Sequence, residues 1–193
     1  MSGKKTLLWA LTLLVLGGFY YYYEIRGEPR RQEAARQREL LLSLTADDVT
    51  GLSITRAQEV ITATKNDGHW QLTAPLNVPG DDKKYHELVR SLVDLRHTRL
   101  VEDNPASLEP FGLSTPSLEV AIQLKNQDKP QTLRLGARNP TSSSYYAQVV
   151  GRNTVYLVAS VTKDVLDVSL HELRDKTVLA FQSEEVQEVQ LLD

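Results

Sequence analysis

Histidine is the side chain in this sequence best suited to metal binding or to acid–base catalysis near neutral pH. A zinc site of the metalloprotease kind needs an H-E-x-x-H run on one helix face, and the sequence contains none. Two histidines precede a Glu-Leu pair, but they belong to helices of different register. We therefore expect solvated surface histidines and no metal site. The four are His69, His86, His97 and His171.

Paired carboxylates are the second candidate for chemistry, because two acids in different environments can act as general acid and general base. The sequence has four adjacent pairs of acidic residues, and they lie at expected turns and helix starts, where acids are favoured, so they indicate capping. The sequence has no cysteine, no G-x-S-x-G elbow, no Walker A loop and no G-x-G-x-x-G turn. We therefore predict no enzyme activity and no cofactor. The pairs are Asp47-Asp48, Asp81-Asp82, Glu102-Asp103 and Glu184-Glu185.

Five residues are candidates for contacting a ligand or a partner. Trp70 fits core packing better than a ligand platform, but a patch on the sheet near Trp70 or near Tyr145-Tyr146 is the alternative. In the apolar N-terminal run, Gly17 and Gly18 would let a second helix approach closely. The candidate contact residues are therefore Gly17, Gly18, Trp70, Tyr145 and Tyr146.

The charge is divided unevenly along the chain. From residue 45 onward there are 15 basic and 21 acidic side chains, whereas residues 1–23 contain two lysines and no acid. An acidic domain repels phosphate backbones, so the composition argues against nucleic-acid binding.

An uncharged run of eighteen residues extends from Thr6 to Tyr23. As a helix it would be about 27 Å long, close to the hydrocarbon thickness of a bilayer. A cleaved signal peptide would need small residues after the apolar core, where this chain has four tyrosines. A buried core helix would need a polar face, which the run lacks. We therefore predict an uncleaved transmembrane anchor.

The orientation of that anchor is left open by charge. Lys4 and Lys5 favour a cytoplasmic N-terminus, but five arginines follow the run. The pattern from Glu28 to Leu44 predicts a short helix, because Pro29 suits a first helical position and strong helix formers follow. We favour a solvated stalk, with a juxtamembrane contact to lipid or to a partner as the alternative.

Strand and helix patterns alternate after the stalk. Residues 118–124 alternate strictly between apolar and other side chains, so one face is buried and one is wet, as in an antiparallel sheet. We predict an α+β fold, mainly an antiparallel sheet with a few packed helices. Strands are expected at 49–56, 59–65, 69–72, 98–102, 118–124, 133–135, 146–150 and 155–158, with a break at Pro75, Pro79 and Gly80. Helices are expected at 81–95, where the apolar residues follow helical spacing, from Asn104-Pro105 to Gly112, at 161–168 and after Ser169, which with Glu172 fits a capping box.

The last residues look like the start of another strand. The run SEEVQEVQLLD is similar to TADDVTGLSIT near residue 45, so one alternative is that it is the first strand of a second, truncated repeat. The expected parts are a transmembrane anchor at 1–25, a helical stalk at 26–44, a soluble α+β domain at 45–180 and a tail at 181–193.

Six phrases follow one another along the second part of the chain, namely GHWQLTAPLNVPGDDKKYHELVRSLVDLR, NPASLEPFGLSTPSLEVAIQL, TLRLG, SYYAQV, VYLV and LRDKTVL. Together, from residue 45 to 179, they resemble the bacterial family catalogued as domain of unknown function 4340. The run FYYYYEIRGEPRR further resembles the cyanobacterial members. Gly112 would end a helix and Gly136 would allow a turn, so the resemblance identifies a fold and not a site.

The resemblance implies a cell-membrane protein with a cytoplasmic N-terminus and a periplasmic domain, associated with ABC transporters of the gliding-motility type. The first hypothesis is therefore a non-enzymatic accessory or adaptor subunit of an ABC-type transport system. Its expected partners are the lipid bilayer and a transporter permease or other envelope protein. The second hypothesis is an independent envelope binding module for a lipid, glycan or peptide.

Overall fold

The computed structural model describes residues 3–21, 39–57, 59–141 and 143–177. The chain divides into two units, Met1–Leu41 and Leu42–Asp193. The tail at 181–193 and most of the predicted stalk lie outside the described residues.

The first unit contains helix α1, Gly3–Tyr20, so the predicted helix is confirmed over that range. Its described apolar side chains are exposed on every side, including Leu14 at 77% and Trp9 at 71%. Within the described residues, however, no helix is both long enough and apolar enough to cross a membrane.

The predicted stalk helix does not reach Leu44. Residues 39–45 are described and contain a turn and irregular backbone but no helix. The apolar side chain of Leu42 is only 1% exposed, so it is buried and does not lie on a solvated stalk.

The second unit contains nine strands in its described part, joined in one antiparallel sheet with the order β4-β3-β2-β1-β6-β7-β8-β9-β5. This confirms the predicted α+β class with a mainly antiparallel sheet. Except for the short β4, which falls in a predicted break, the strands match the sequence patterns. They are β1 Val49–Arg56, β2 Glu59–Asn66, β3 His69–Ala74, β4 Val78–Pro79, β5 Arg99–Asp103, β6 Leu118–Leu124, β7 Gln131–Arg138, β8 Ser144–Val149 and β9 Thr154–Ala159.

Cross-strand register gathers the apolar side chains on one face. Leu52 lies opposite Ala63 on one side and opposite Ile122 on the other, and all three are buried. Leu118 pairs with Leu135, and both are fully buried. Since successive side chains of a strand point to opposite faces, these pairs form one continuous inner face.

Besides the sheet, the described part of the second unit contains three α-helices. Helix α2, Asp82–Val93, begins at Asp81, whose carboxylate accepts hydrogen bonds from the backbone of the first turn. Its apolar positions are buried as the spacing predicted, and each stabilises the fold by about 2 kcal/mol. Helix α3 is Ser160–Leu166, and α4, Leu170–Leu173, has the predicted capping box of Ser169 and Glu172.

The segment between β5 and β6 differs from its prediction. Instead of a helix starting after Asn104, there is one 3-10 turn at Glu109–Phe111, which Gly112 closes in the left-handed region with φ 66°. Asn104 itself has φ 54°, so it cannot serve as the extended cap of a helix. Gly136 is not in a turn but inside β7, where a β-carbon would overlap the carbonyl oxygen of Phe111. Glycine is needed there because the loop lies directly on the strand.

Candidate functional site

The two candidate contact residues of the first unit, Gly17 and Gly18, are exposed on the surface of α1. Beyond the neighbouring turns of α1, a β-carbon on Gly17 or Gly18 would meet no atom of the described residues within 4 Å. The surface of α1 at this point is therefore a shallow backbone notch among exposed apolar side chains.

Trp70 is a core residue. It is 5% exposed, and its ring stacks on Tyr85 with centroids 4.6 Å apart and 14° between the planes. A β-carbon on Gly80 would come within 2.7 Å of the Tyr85 ring, so glycine at this position makes room for the stack. The core-packing role that the sequence favoured is the one the structure gives Trp70.

The two neighbouring tyrosines point to opposite faces of β8. Tyr145 is on the helix side, with the Lys163 ammonium 5.4 Å and the Arg138 guanidinium 5.9 Å from its ring centroid. Tyr146 is on the other side and meets Phe111 edge-on at 5.1 Å. Both are half-buried. Four strands lie between β3 and β8, so the structure does not bring Trp70 and the tyrosines together.

The histidines occupy two kinds of position. Three are exposed as predicted, but the fourth, His97, is half-buried and stacks on Tyr156 with centroids 4.9 Å apart. His69 Nδ1 lies 2.7 Å from Asp82 Oδ2, the one His–carboxylate contact within hydrogen-bond distance among the described residues. In the same part of the chain, no group of three His, Asp or Glu side chains could hold a metal ion.

The His69–Asp82 pair is a structural clamp. The Trp70 backbone N–H donates to the other oxygen of Asp82 at 2.7 Å, which ties the start of α2 to β3. This hydrogen bond, followed by the one from His69, lowers the pKa of the Asp82 carboxyl. Among the described residues, no hydroxyl is hydrogen-bonded to His69.

The outer face of the sheet, opposite the helices, is covered over only part of its width. The loop 104–117 lies over β7 and β8, since a β-carbon on Gly136 of β7 would overlap Phe111 and the Phe111 ring meets Tyr146 of β8. We call these two strands the covered half. Over β2, β1 and β6, the open half, there is a groove of about 410 Å³. We call it the sheet-face groove. Uncharged and mostly small side chains line its floor, namely Gly51, Ser53, Thr62, Thr64, Ala121 and Gln123.

The floor of the sheet-face groove offers hydroxyl and amide groups, and Lys65 is the one charged residue in the described lining. Ser53 and Thr62 lie opposite each other with their hydroxyl oxygens 3.3 Å apart, and the Gln123 amide donates to the Gln127 carbonyl. Such a floor can receive a flat, neutral surface or chain through hydrogen bonds and methyl contacts. The sequence signal was present, since the outward positions of three adjacent strands carry mostly small residues, but strand adjacency could not be read from the sequence.

Comparison with known proteins gives a family. The model of a family described as a domain of unknown function, DUF4340, matches residues 70–193. No curated protein and no solved structure matches the chain. The match includes the Trp70–Tyr85 stack, the covering loop and β4 to β9.

Proposed function

Since the chain belongs to the DUF4340 family, whose description gives no function, we propose that it is a non-enzymatic, membrane-anchored accessory or adaptor subunit of an ABC-type transport system. The second unit then lies outside the cytoplasm, and the N-terminus lies inside.

The observation that carries this proposal is the surface of α1. Eight side chains from Leu7 to Phe19 are large, apolar and at least 58% exposed, and they face all sides of the helix. A helix that is apolar all round needs an apolar environment. The membrane segment of the proposal is the uncharged run from Thr6 to Tyr23, which excludes Lys4 and Lys5 at the start of α1.

The proposed contact with a transporter uses the notch at Gly17 and Gly18. Small residues let helix backbones approach closely in a membrane, where packing drives association. Among the described residues, nothing beyond the neighbouring turns of α1 lies within 4 Å of a β-carbon at these positions, which leaves room for a partner helix. The resemblance of the sequence to members associated with ABC transporters supports a permease as that partner.

Membrane anchoring is tested by extracting membranes from cells that make the full chain. We expect the protein to remain in the pellet after alkaline carbonate treatment. Replacing Leu11 and Leu14 with lysine should release it, because each buried charge costs about 3 kcal/mol. Release of the unaltered chain would refute the anchor. External protease that leaves the second unit intact in spheroplasts would refute the orientation.

The adaptor role is tested by purification in mild detergent. We expect a transporter ATPase and its permease to co-purify with the chain. Gly17→Leu with Gly18→Leu should reduce their recovery, whereas Leu13→Ala with Leu14→Ala keeps the notch and serves as the control. Recovery of an anchored chain without transporter subunits would contradict this role.

The sheet-face groove favours a second candidate function, an independent envelope binding module for a lipid, glycan or peptide. Its volume of about 410 Å³ is in the range of small-ligand sites. A ligand should raise the melting temperature of the full chain, and Ala121→Glu should abolish the shift by placing a charge on the groove floor. If panels of all three ligand classes leave the melting temperature unchanged, this candidate is refuted.

A further inference from the structure

A second groove lies at the edge of the sheet beside β4. The chain leaves α4 in an extended form and runs antiparallel to Pro79–Asp81, with a bridge between Gly80 and Arg174. The Asp81 N–H donates to the Leu173 carbonyl at 2.8 Å, and the Asp175 N–H donates to the Pro79 carbonyl at 2.9 Å. Next to this pairing is a space of about 460 Å³, which we call the edge groove.

The edge groove has one apolar wall and one charged wall. Leu76, Val78 and Pro79 form the apolar wall, and Leu76 is 46% exposed. The other wall includes Arg174 and Lys176, both exposed. An extended partner with apolar and acidic side chains would fit both walls.

The one carboxylate that lines the edge groove is already satisfied. Asp175 accepts hydrogen bonds from the Thr177 N–H at 2.9 Å and from the Thr177 hydroxyl at 2.7 Å. Glu172, close by, is held by the Ser169 N–H and hydroxyl in the capping box of α4.

Residues 178–193, which lie outside the described residues, have the complementary composition. They contain four acids and no basic side chain, and they begin with Val178, Leu179 and Phe181 among their first four residues. They follow directly after Thr177, which lines the groove, and the family match includes them. We propose that the edge groove binds this C-terminal tail of the same chain.

Attachment favours the chain's own tail over a second copy. A segment joined to its site by a few residues has an effective concentration in the millimolar range, well above that of a separate molecule in solution. This proposal does not depend on membrane anchoring or on a transporter, so its failure would leave the proposed function untouched.

The test uses disulfide trapping in the full chain, which has no natural cysteine. Leu76→Cys with Phe181→Cys should form an intramolecular disulfide. An excess of a synthetic peptide with the sequence of residues 178–193 should slow its formation several-fold by occupying the groove, and a scrambled peptide should not. Val150→Cys with Phe181→Cys is the control pair, because Val150 has the same 46% exposure as Leu76.

The charged wall is tested in the same assay. Arg174→Glu with Lys176→Glu should slow disulfide formation, and Lys125→Glu with Lys129→Glu makes the same charge change in an exposed turn as the control. If the peptide and the charge reversal both have no effect, proximity along the chain alone explains the disulfide and the proposal is wrong. It is also wrong if mixing the two singly substituted proteins gives disulfide-linked dimers faster than the doubly substituted chain closes on itself.

Discussion

The covered half and the open half of the sheet are built from the same kind of strand, with apolar side chains toward the helices. They differ on the outer face. Over β7 and β8, Leu113 of the loop 104–117 is completely buried and Phe111 packs against Tyr146. Over β2, β1 and β6, small uncharged side chains such as Ser53 and Thr64 line a groove.

In both halves, the size of the outward side chains of a strand matches what lies over them. In the covered half, Gly136 removes a side chain so that the loop backbone can lie on the strand. In the open half, Gly51 has more room, since a β-carbon there would be 3.3 Å from the Ala63 carbonyl oxygen and from the Gln123 β-carbon. The outer face of the covered half is therefore part of a packed core, whereas the outer face of the open half is an exposed surface with room for a partner.

The largest expected effect is in the covered half, at Leu113. Leu113→Ala should lower the free energy of unfolding by about 3 kcal/mol, because the side chain is fully buried and leaves a cavity. Val60→Ala, at a 46% exposed position on the outer face of β2, should cost less than about 1 kcal/mol. Urea denaturation measures both. Equal losses would mean that the loop contributes no core.

The next effect compares the two glycines. Gly136→Ala should cost about 2 kcal/mol, since the added methyl group overlaps backbone that cannot move aside easily. Gly51→Ala should change stability by less than about 1 kcal/mol, because its neighbours need to shift by only a few tenths of an ångström. The two variants can be compared by thermal and urea unfolding, and a larger loss at Gly51 would reverse the assignment of covered and open halves.

Much of the fold was readable from the sequence where the deciding interactions are local. The alternation of residues 118–124, the Asp81 cap of α2 and the Ser169–Glu172 capping box all involve neighbours in the chain, and each is confirmed. Gly136 was misread as a turn, because its need for glycine comes from Phe111, far away in sequence.

The candidate site was less predictable than the fold. Trp70 and Tyr145-Tyr146 were identified by residue type, but their positions depend on a strand order that no local pattern states. The sheet-face groove was missed for the same reason. The groove exists because β6 pairs with β1 and because the loop 104–117 does not extend over these two strands. Both features depend on residues that are far apart in the sequence.

Lowering the pH should reduce the stability of the fold where α2 is tied to β3, at the end of the sheet next to the open half. Hydrogen bonds from the Trp70 N–H and then His69 hold the pKa of Asp82 below its ordinary value, so the ionised form is favoured in the folded state. Its contribution to stability is present above about pH 4 and is lost as the pH falls through the lowered pKa.

Asp82→Asn tests this dependence. At pH 7 it should cost about 1 kcal/mol, a value at the low end for charged hydrogen bonds because the carboxylate is 45% exposed. The difference from the unaltered chain should shrink between pH 5 and about pH 2. Asp103→Asn, which keeps an acceptor for the Thr154 hydroxyl at the opposite end of the sheet, is the control. A difference that is constant with pH would show that Asp82 does not provide the linkage.

The smallest expected effect is at Tyr85, whose ring stacks on Trp70 of β3 on the helix side of the sheet. The Tyr85 hydroxyl is buried and has no hydrogen-bond partner among the described residues, and burial raises its pKa. Removing an unsatisfied buried hydroxyl while keeping the ring should be neutral or should stabilise by up to about 1 kcal/mol. Tyr85→Phe retains the stack on Trp70, so Trp70 fluorescence should change little while the urea midpoint stays or rises. A loss above about 1 kcal/mol would show that the hydroxyl is hydrogen-bonded in the folded protein. Tyr156→Phe, at a half-buried tyrosine of β9 that stacks on His97, provides the matched exchange.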